Sequence, residues 1–181
     1  MSWVLLHPAT IHFPIAFLIA ASVAGLAYIH WRPMAQLSTI VWWSTATGWF
    51  SLIAAIITGL ISQGALPPDA PYRTILNWHT TTGLILAVLY GDVLYRGWLH
   101  NSGKGKANRP QRSAANRQTD RRGRQQTGKS GEAPLVATEF LAEPRQKWLL
   151  SVEFAAGIVL IFATGWLGGE LVYTWGVNVM K

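Results

Sequence analysis

Four long apolar segments divide this chain of 181 residues, and they constrain its fold more than any other feature. The segments run over 11–29, 40–62, 75–98 and 148–173. Each is close to the ~20 residues that cross ~30 Å of hydrocarbon as an α-helix. A helix on the surface of a water-soluble protein carries a polar stripe, and the segment 40–62 has none. The sequence therefore predicts an all-α integral membrane protein, an antiparallel four-helix bundle.

The basic charge of the chain is concentrated between the third and fourth predicted spans. Of the 15 Lys and Arg residues, 11 lie between residues 104 and 147, together with four acidic residues. Eleven minus four is the whole net charge of +7, so the apolar remainder is neutral. A strongly basic protein ordinarily suggests a nucleic-acid partner. Because the charge here belongs to one segment of a membrane protein, we expect the lipid bilayer as partner and no nucleic acid.

The predicted organisation is three spans in residues 1–98, a basic loop over 99–147, and the fourth span with a short tail in 148–181. The loop is rich in Gly, Ser, Asn, Gln and Arg, which predicts disorder. With four spans, thirteen cations lie on the side of the loop and two on the other. Cations mark the cytoplasmic side, so we expect a cytoplasmic loop that attracts anionic lipid. Both termini would lie outside the bacterial inner membrane.

Four ionisable residues at the outer surface form the candidate site. His7 and His12 open the first span, His79 opens the third, and Glu170 ends the fourth, so all four arrive at similar depth. Such side chains are costly within a bilayer unless they pair with one another or face a cavity. A single histidine at this depth is more often a hydrogen-bonded structural residue, and that reading stays open for His7.

A b-type haem is the leading hypothesis for this group of residues. His12 and His79 lie on different helices, and each has small residues one turn deeper on its own face (Ala16 and Ala20; Thr82 and Gly83). Two such histidines could bind a haem iron from opposite sides. Arg73 would then pair with the propionates. Glu170 could instead cap its helix or pair with Arg73.

A transition-metal site is the main alternative. His7, His12, His79 and Glu170 together offer nitrogen and oxygen ligands suited to zinc, copper or iron. The same residues could also form a proton or ion relay. A third possibility is a cofactor-free accessory subunit of a membrane complex, with other membrane or redox subunits as partners. No complete catalytic set is visible, so we do not expect an independent enzyme.

A second ionisable group lies at the opposite membrane surface. Asp92 and Arg96 are four residues apart on the third span, a spacing that suits an ion pair. Glu153 enters from the fourth span at similar depth and could share the arginine. We interpret this group as mutual neutralisation rather than chemistry.

Two motifs carry a resemblance to a known family. HPATIHFPIAFL at 7–18 and GWLGGELVYTWGV at 165–177, with His79 opening the third span, resemble a bacterial family of small four-helix membrane proteins. That family is known as domain of unknown function number twenty-two thirty-one. The resemblance implies the fold and supplies no settled activity. It also implies a further histidine after the final tyrosine, a position that Trp175 takes here.

Overall fold

The described part of the chain consists of long helices joined by short connections. The computed structural model describes residues 7, 10–64, 66–107 and 140–177. Its long helices are α1 (His12–His30), α2 (Ala35–Gly64), α3 (Arg73–Ala107) and α4 (Pro144–Tyr173). Within these described ranges there is no strand. The predicted all-α class is therefore confirmed.

Three of the helices have the length and composition of membrane spans. In the described residues, α1, α2 and α4 each contain a stretch with a mean hydropathy of 1.6 to 1.8 that is long enough to cross a bilayer. α3 is longer, at 35 residues, and carries Asp92 and Arg96 within its apolar part. The chain is thus an integral membrane protein, as predicted.

Prolines mark the ends of the helices. Pro33 follows α1, Pro71 precedes α3, and Pro144 occupies the first turn of α4, where its missing N–H is not needed. α3 continues to Ala107, beyond the end predicted at residue 98, and α4 begins before the predicted start at 148. The predicted disorder of the basic loop falls chiefly on 108–139, which lie outside the described residues.

Each helix packs antiparallel against two neighbours. α1 contacts α2 and α4, and α3 contacts the same two helices. The direction follows from the residues that meet, since His7 lies against Gly59 near the end of α2, whereas Leu18 lies against Gly48 near its middle. The beginnings of α1 and α3 therefore lie at the same end as the final turns of α2 and α4.

Large side chains lie on helix glycines at four of the contacts between these helices. Small residues let helices associate in lipid, where no hydrophobic effect drives them together. The ring-on-glycine pairs are Phe154 with Gly25, Trp49 with Gly91, Trp42 with Gly97 and Tyr90 with Gly157. A methyl group added at any of these glycines would come closer to the ring than side chains normally pack. The missing glycine side chains therefore determine how the helices pack together.

Two hydrogen bonds join α3 to α1 and to α2 within the apolar interior. The hydroxyl groups of Ser22 and Tyr90 are 2.6 Å apart, and Ser22 also donates to the carbonyl oxygen of Leu18 at 2.8 Å. The indole Nε1 of Trp49 donates to the carbonyl oxygen of Ala87 at 2.8 Å. Both bonds satisfy polar groups that would find no hydrogen-bond partner in lipid hydrocarbon. They also fix the rotation of α3 about its own axis relative to α1 and α2.

The two ends of the helix assembly are closed by apolar side chains. Phe140 and Leu141, just before α4, are buried, and the Phe140 ring contacts that of Trp42 at a centroid distance of 5.7 Å. At the other end Gly176 has φ of 62°, a conformation that glycine adopts without steric penalty. This turn brings Val177 back against Leu76 of α3 and Leu171 of α4.

Candidate functional site

A partly open chamber lies between the helices, at the end where α1 and α3 begin. Its volume is about 170 Å³, and its walls are overwhelmingly aliphatic. Leu18, Leu86 and Ile161, which belong to the larger hydrophobic cluster between the helices, border the chamber. Leu76 and Leu171, which pack with Val177 in a smaller cluster, border it as well. The polar side chains in its lining are His7, Ser62, Gln63, His79, Thr80 and Thr164.

His7 lies one turn before α1, against the final turns of α2. Its Nδ1 is 2.9 Å from the carbonyl oxygen of Ala55, and the hydroxyl of Thr10 donates to the carbonyl oxygen of His7 at 3.0 Å. The ring lies on Gly59, one turn after Ala55, because a Cβ there would be 3.0 Å from Cε1 of His7. Glycine thus leaves the space through which the imidazole reaches a helix carbonyl.

His79 repeats this arrangement on the other pair of helices. Its Nδ1 is 3.0 Å from the carbonyl oxygen of Thr164 in α4, and the hydroxyl of Thr82 donates to the carbonyl oxygen of His79 at 3.0 Å. A Cβ at Gly168, one turn after Thr164, would lie 3.0 Å from Cε1 of His79. The chamber therefore receives one imidazole from each helix pair, held in the same way.

The two hydrogen bonds determine which ring nitrogens carry protons. A carbonyl oxygen can only accept, so Nδ1 is the donor in both His7 and His79. In the neutral imidazole this leaves Nε2 of each ring as an acceptor. Neither Nε2 atom has a hydrogen-bond partner among the described residues. The ring centroids are 6.2 Å apart and the ring planes are nearly perpendicular, at 85°.

The chain matches a family model along almost its whole length. A model described as a predicted membrane protein, DUF2231, matches residues 4–181. The chain belongs to the DUF2231 family. The family resemblance of the end motifs is thus confirmed. Comparison with curated proteins and with solved structures gives no match.

His12 lies elsewhere in this DUF2231 chain than the haem hypothesis requires. It is exposed on the surface of α1, together with Ala16 and Ala20, and it does not line the chamber. The histidine that faces His79 is His7 instead. Five residues turn a helix by about 140°, so two histidines of similar depth point in different directions.

Arg73 and Glu170 do not pair with each other in the described part of the chain, a pairing that the sequence left open. The Arg73 guanidinium donates to the carbonyl oxygens of Pro68 and Leu66, at 3.2 and 3.5 Å, and so holds the link between α2 and α3. Glu170 is partly buried in the last turns of α4 and does not line the chamber. No ion pair between Arg73 and Glu170 occurs within the described ranges.

The four predicted metal ligands are not assembled in one place. Among the described residues, no group of three or more His, Cys, Asp or Glu side chains could hold a metal ion. His7 and His79 come together, whereas His12 and Glu170 stay outside the chamber. At the position of the expected family histidine, Trp175 contacts the Tyr72 ring at a centroid distance of 6.0 Å.

The ionic group at the opposite end forms as the spacing predicts. Arg96 Nε is 2.7 Å from a carboxylate oxygen of Asp92, and Arg96 also binds the Glu153 carboxylate. A third contact, from Arg96 Nη1 to the side-chain oxygen of Gln146, is 3.1 Å long. One arginine thus holds α3 against α4 through two carboxylates and an amide.

The residues that position the two imidazoles were not found from the sequence. They are the carbonyl groups of Ala55 and Thr164 with the glycines one turn later, Gly59 and Gly168. One signal was present, because His7 with Thr10 and His79 with Thr82 share the pattern His-x-x-Thr. In both cases the threonine hydroxyl binds the histidine carbonyl.

Proposed function

We propose that the protein is a membrane-embedded binding protein whose chamber holds a small molecule taken up from the membrane. One observation carries this proposal: two imidazoles whose Nε2 atoms have no partner among the described residues line a chamber with mostly aliphatic walls. An apolar pocket with a few convergent polar groups is the usual form of a ligand site.

The topology belongs to the same proposal. α3 packs along α2 and α4, helices that are long and apolar enough to cross the bilayer, so we take α3 as the fourth span. Thirteen cations on the side of the basic segment and two on the other favour a cytoplasmic segment, with both termini outside. The chamber would then lie near the outer face of a bacterial inner membrane.

The size of the chamber bears on the nature of the ligand. A cavity of about 150 Å³ holds one benzene molecule, and drug-sized ligands need roughly 300–1,000 Å³. At about 170 Å³, the chamber has the size that holds a single ring. Haem b stays a prediction. Association with redox subunits and with anionic lipid also stays a prediction.

A single transition-metal ion between His7 and His79 is a second candidate. Two metal–nitrogen bonds of about 2.0 Å each, plus the half-width of each ring, give a centroid separation of about 6 Å. The observed separation is 6.2 Å. Only two protein ligands would be present, so the organic ligand remains our first choice.

Binding of p-xylene, measured by equilibrium dialysis against protein-free detergent micelles, tests the proposed function. A Cβ at Gly83 would meet nothing within 4 Å although Gly83 is buried and lines the chamber, so Gly83→Leu is expected to fill the space and abolish binding. Gly169→Leu is the matched control, since Gly169 is also inside a helix but does not line the chamber. Equal binding by both variants would refute the proposal.

A further inference from the structure

The two imidazoles restrict the ligand that the chamber can accept. Each ring donates through Nδ1 to a helix carbonyl, Ala55 for His7 and Thr164 for His79, which leaves Nε2 as the second polar ring atom of a side chain that lines the chamber. An imidazolium in this aliphatic environment would be a buried charge, and within the described ranges neither ring forms an ion pair. Both Nε2 atoms are therefore hydrogen-bond acceptors that have no donor among the described residues.

A third polar atom at the same place has no partner. The hydroxyl oxygen of Thr164 is buried and lacks a hydrogen bond among the described residues, although the backbone carbonyl of this residue binds His79. Thr80, by contrast, donates to the carbonyl oxygen of Leu76 at 2.9 Å and is satisfied within its own helix. A hydroxyl can both donate and accept. The Thr164 hydroxyl can therefore form a second hydrogen bond to a ligand group that already donates to an Nε2 atom.

We propose that the ligand is a phenol-type molecule, a single apolar ring with a hydroxyl group, and this inference rests on the proposed function. The ring suits a chamber of about 170 Å³ with aliphatic walls. The phenolic O–H donates to Nε2 of His7 or His79, and the phenolic oxygen can accept from the Thr164 hydroxyl. A ligand whose polar groups only accept, such as a quinone, leaves both Nε2 atoms without a donor.

The wall on the other side of the chamber supports this choice. Leu18, Leu52 and Leu86 line it, and these side chains offer no hydrogen-bonding group to a second polar substituent. A buried polar group without a partner loses about 1–3 kcal/mol relative to one that is satisfied. The chamber thus favours a ligand with its polarity at one end, and hydroxyl groups on adjacent ring carbons could engage both histidines.

p-Cresol and p-xylene provide a matched pair of probes, because they differ only in a hydroxyl group that replaces a methyl group. Dissociation constants for both are measured by equilibrium dialysis with the wild-type protein, His7→Asn and His79→Asn. Asparagine can still donate to the helix carbonyl from the position of Nδ1 but has no counterpart of Nε2. Each probe also partitions into the detergent micelles, and this changes its apparent dissociation constant. The effect is the same for every protein in the same detergent, so it cancels when the ratio of the two constants is compared between wild type and variant.

Because p-cresol has a single O–H group, we expect wild-type protein to favour p-cresol, and the variant that lacks the engaged Nε2 to lose about three- to tenfold of that preference, as for one hydrogen bond. Retained p-xylene binding shows that a variant is folded. An unchanged ratio in both variants overturns the phenol inference and leaves the proposed function standing. Failure of the wild-type protein to bind either probe overturns both. Displacement of p-cresol by Cu⁺ or Zn²⁺ at stoichiometric amounts, lost in both variants, overturns the inference in favour of a metal.

Discussion

The imidazole of His79 occupies the space that a side chain on Gly168 would need. A Cβ at Gly168 would lie 3.0 Å from Cε1 and 3.4 Å from Nδ1 of His79, and that Nδ1 is the atom bound to the Thr164 carbonyl. The glycine and the hydrogen bond therefore depend on each other. His7 and Gly59 have the same relationship, with the corresponding Cβ distance also 3.0 Å.

Substitution of Gly168 by alanine is expected to displace His79 and lower the stability of the protein. Overpacking of this kind costs about 1–3 kcal/mol, against a gain of up to about 1 kcal/mol when alanine replaces a helix glycine. Gly165→Ala in the same helix is the control, because a Cβ there meets nothing within 4 Å. Thermal unfolding in detergent should give a lower Tm for Gly168→Ala than for Gly165→Ala. The reverse order would contradict the tight contact.

Removal of the Tyr90 hydroxyl is expected to weaken the contact between α1 and α3. Tyr90 is fully buried and its hydroxyl lies 2.6 Å from that of Ser22, so Tyr90→Phe loses one hydrogen bond of about 0.5–1.5 kcal/mol. Tyr95→Phe on the same helix is the control, since Tyr95 is 57% exposed. Unfolding midpoints of the two variants give the comparison. Equal midpoints would mean that the Ser22 contact contributes nothing to stability.

The sequence was sufficient to predict what depends on spacing along one helix. Apolar segments of about 20 residues predict spans whatever their packing, and three such helices are present. Asp92 and Arg96 are four residues apart, so they meet on any α-helix, and they do. These features need no knowledge of how one helix lies against another.

The sequence was insufficient where the rotation of a helix decides the outcome. His7 and His12 reach similar depths, but only His7 faces His79, because the buried side of α1 is set by contacts such as Leu18 on Gly48 and Ser22 with Tyr90. In a helix that is apolar all round, no polar stripe marks the lipid-facing side. Hydropathy therefore could not choose between the two histidines.

Loss of Arg96 is expected to destabilise the protein more than loss of either of its acidic partners. In Arg96→Gln, the carboxylates of Asp92 and Glu153 remain close together without a cation; because the Asp92 side chain is 49% exposed, the cost is expected to fall below the roughly 3–5 kcal/mol of a fully buried ion pair. Glu153→Gln leaves Arg96 paired with Asp92 and hydrogen-bonded to Gln146. Thermal unfolding of the two variants should show the larger drop for Arg96→Gln. A larger drop for Glu153→Gln would mean that the arginine is not the centre of the group.

The orientation of the chain can be tested by labelling, because the sequence contains no cysteine that would interfere. Asp69 lies exposed in the link between α2 and α3, and Met34 lies exposed in the link between α1 and α2, with 43% of its surface accessible. With the cations concentrated inside, Asp69→Cys should react with a membrane-impermeant maleimide on intact spheroplasts. Met34→Cys should react only after the membrane is opened. Labelling in the opposite order would place the chamber at the cytoplasmic face.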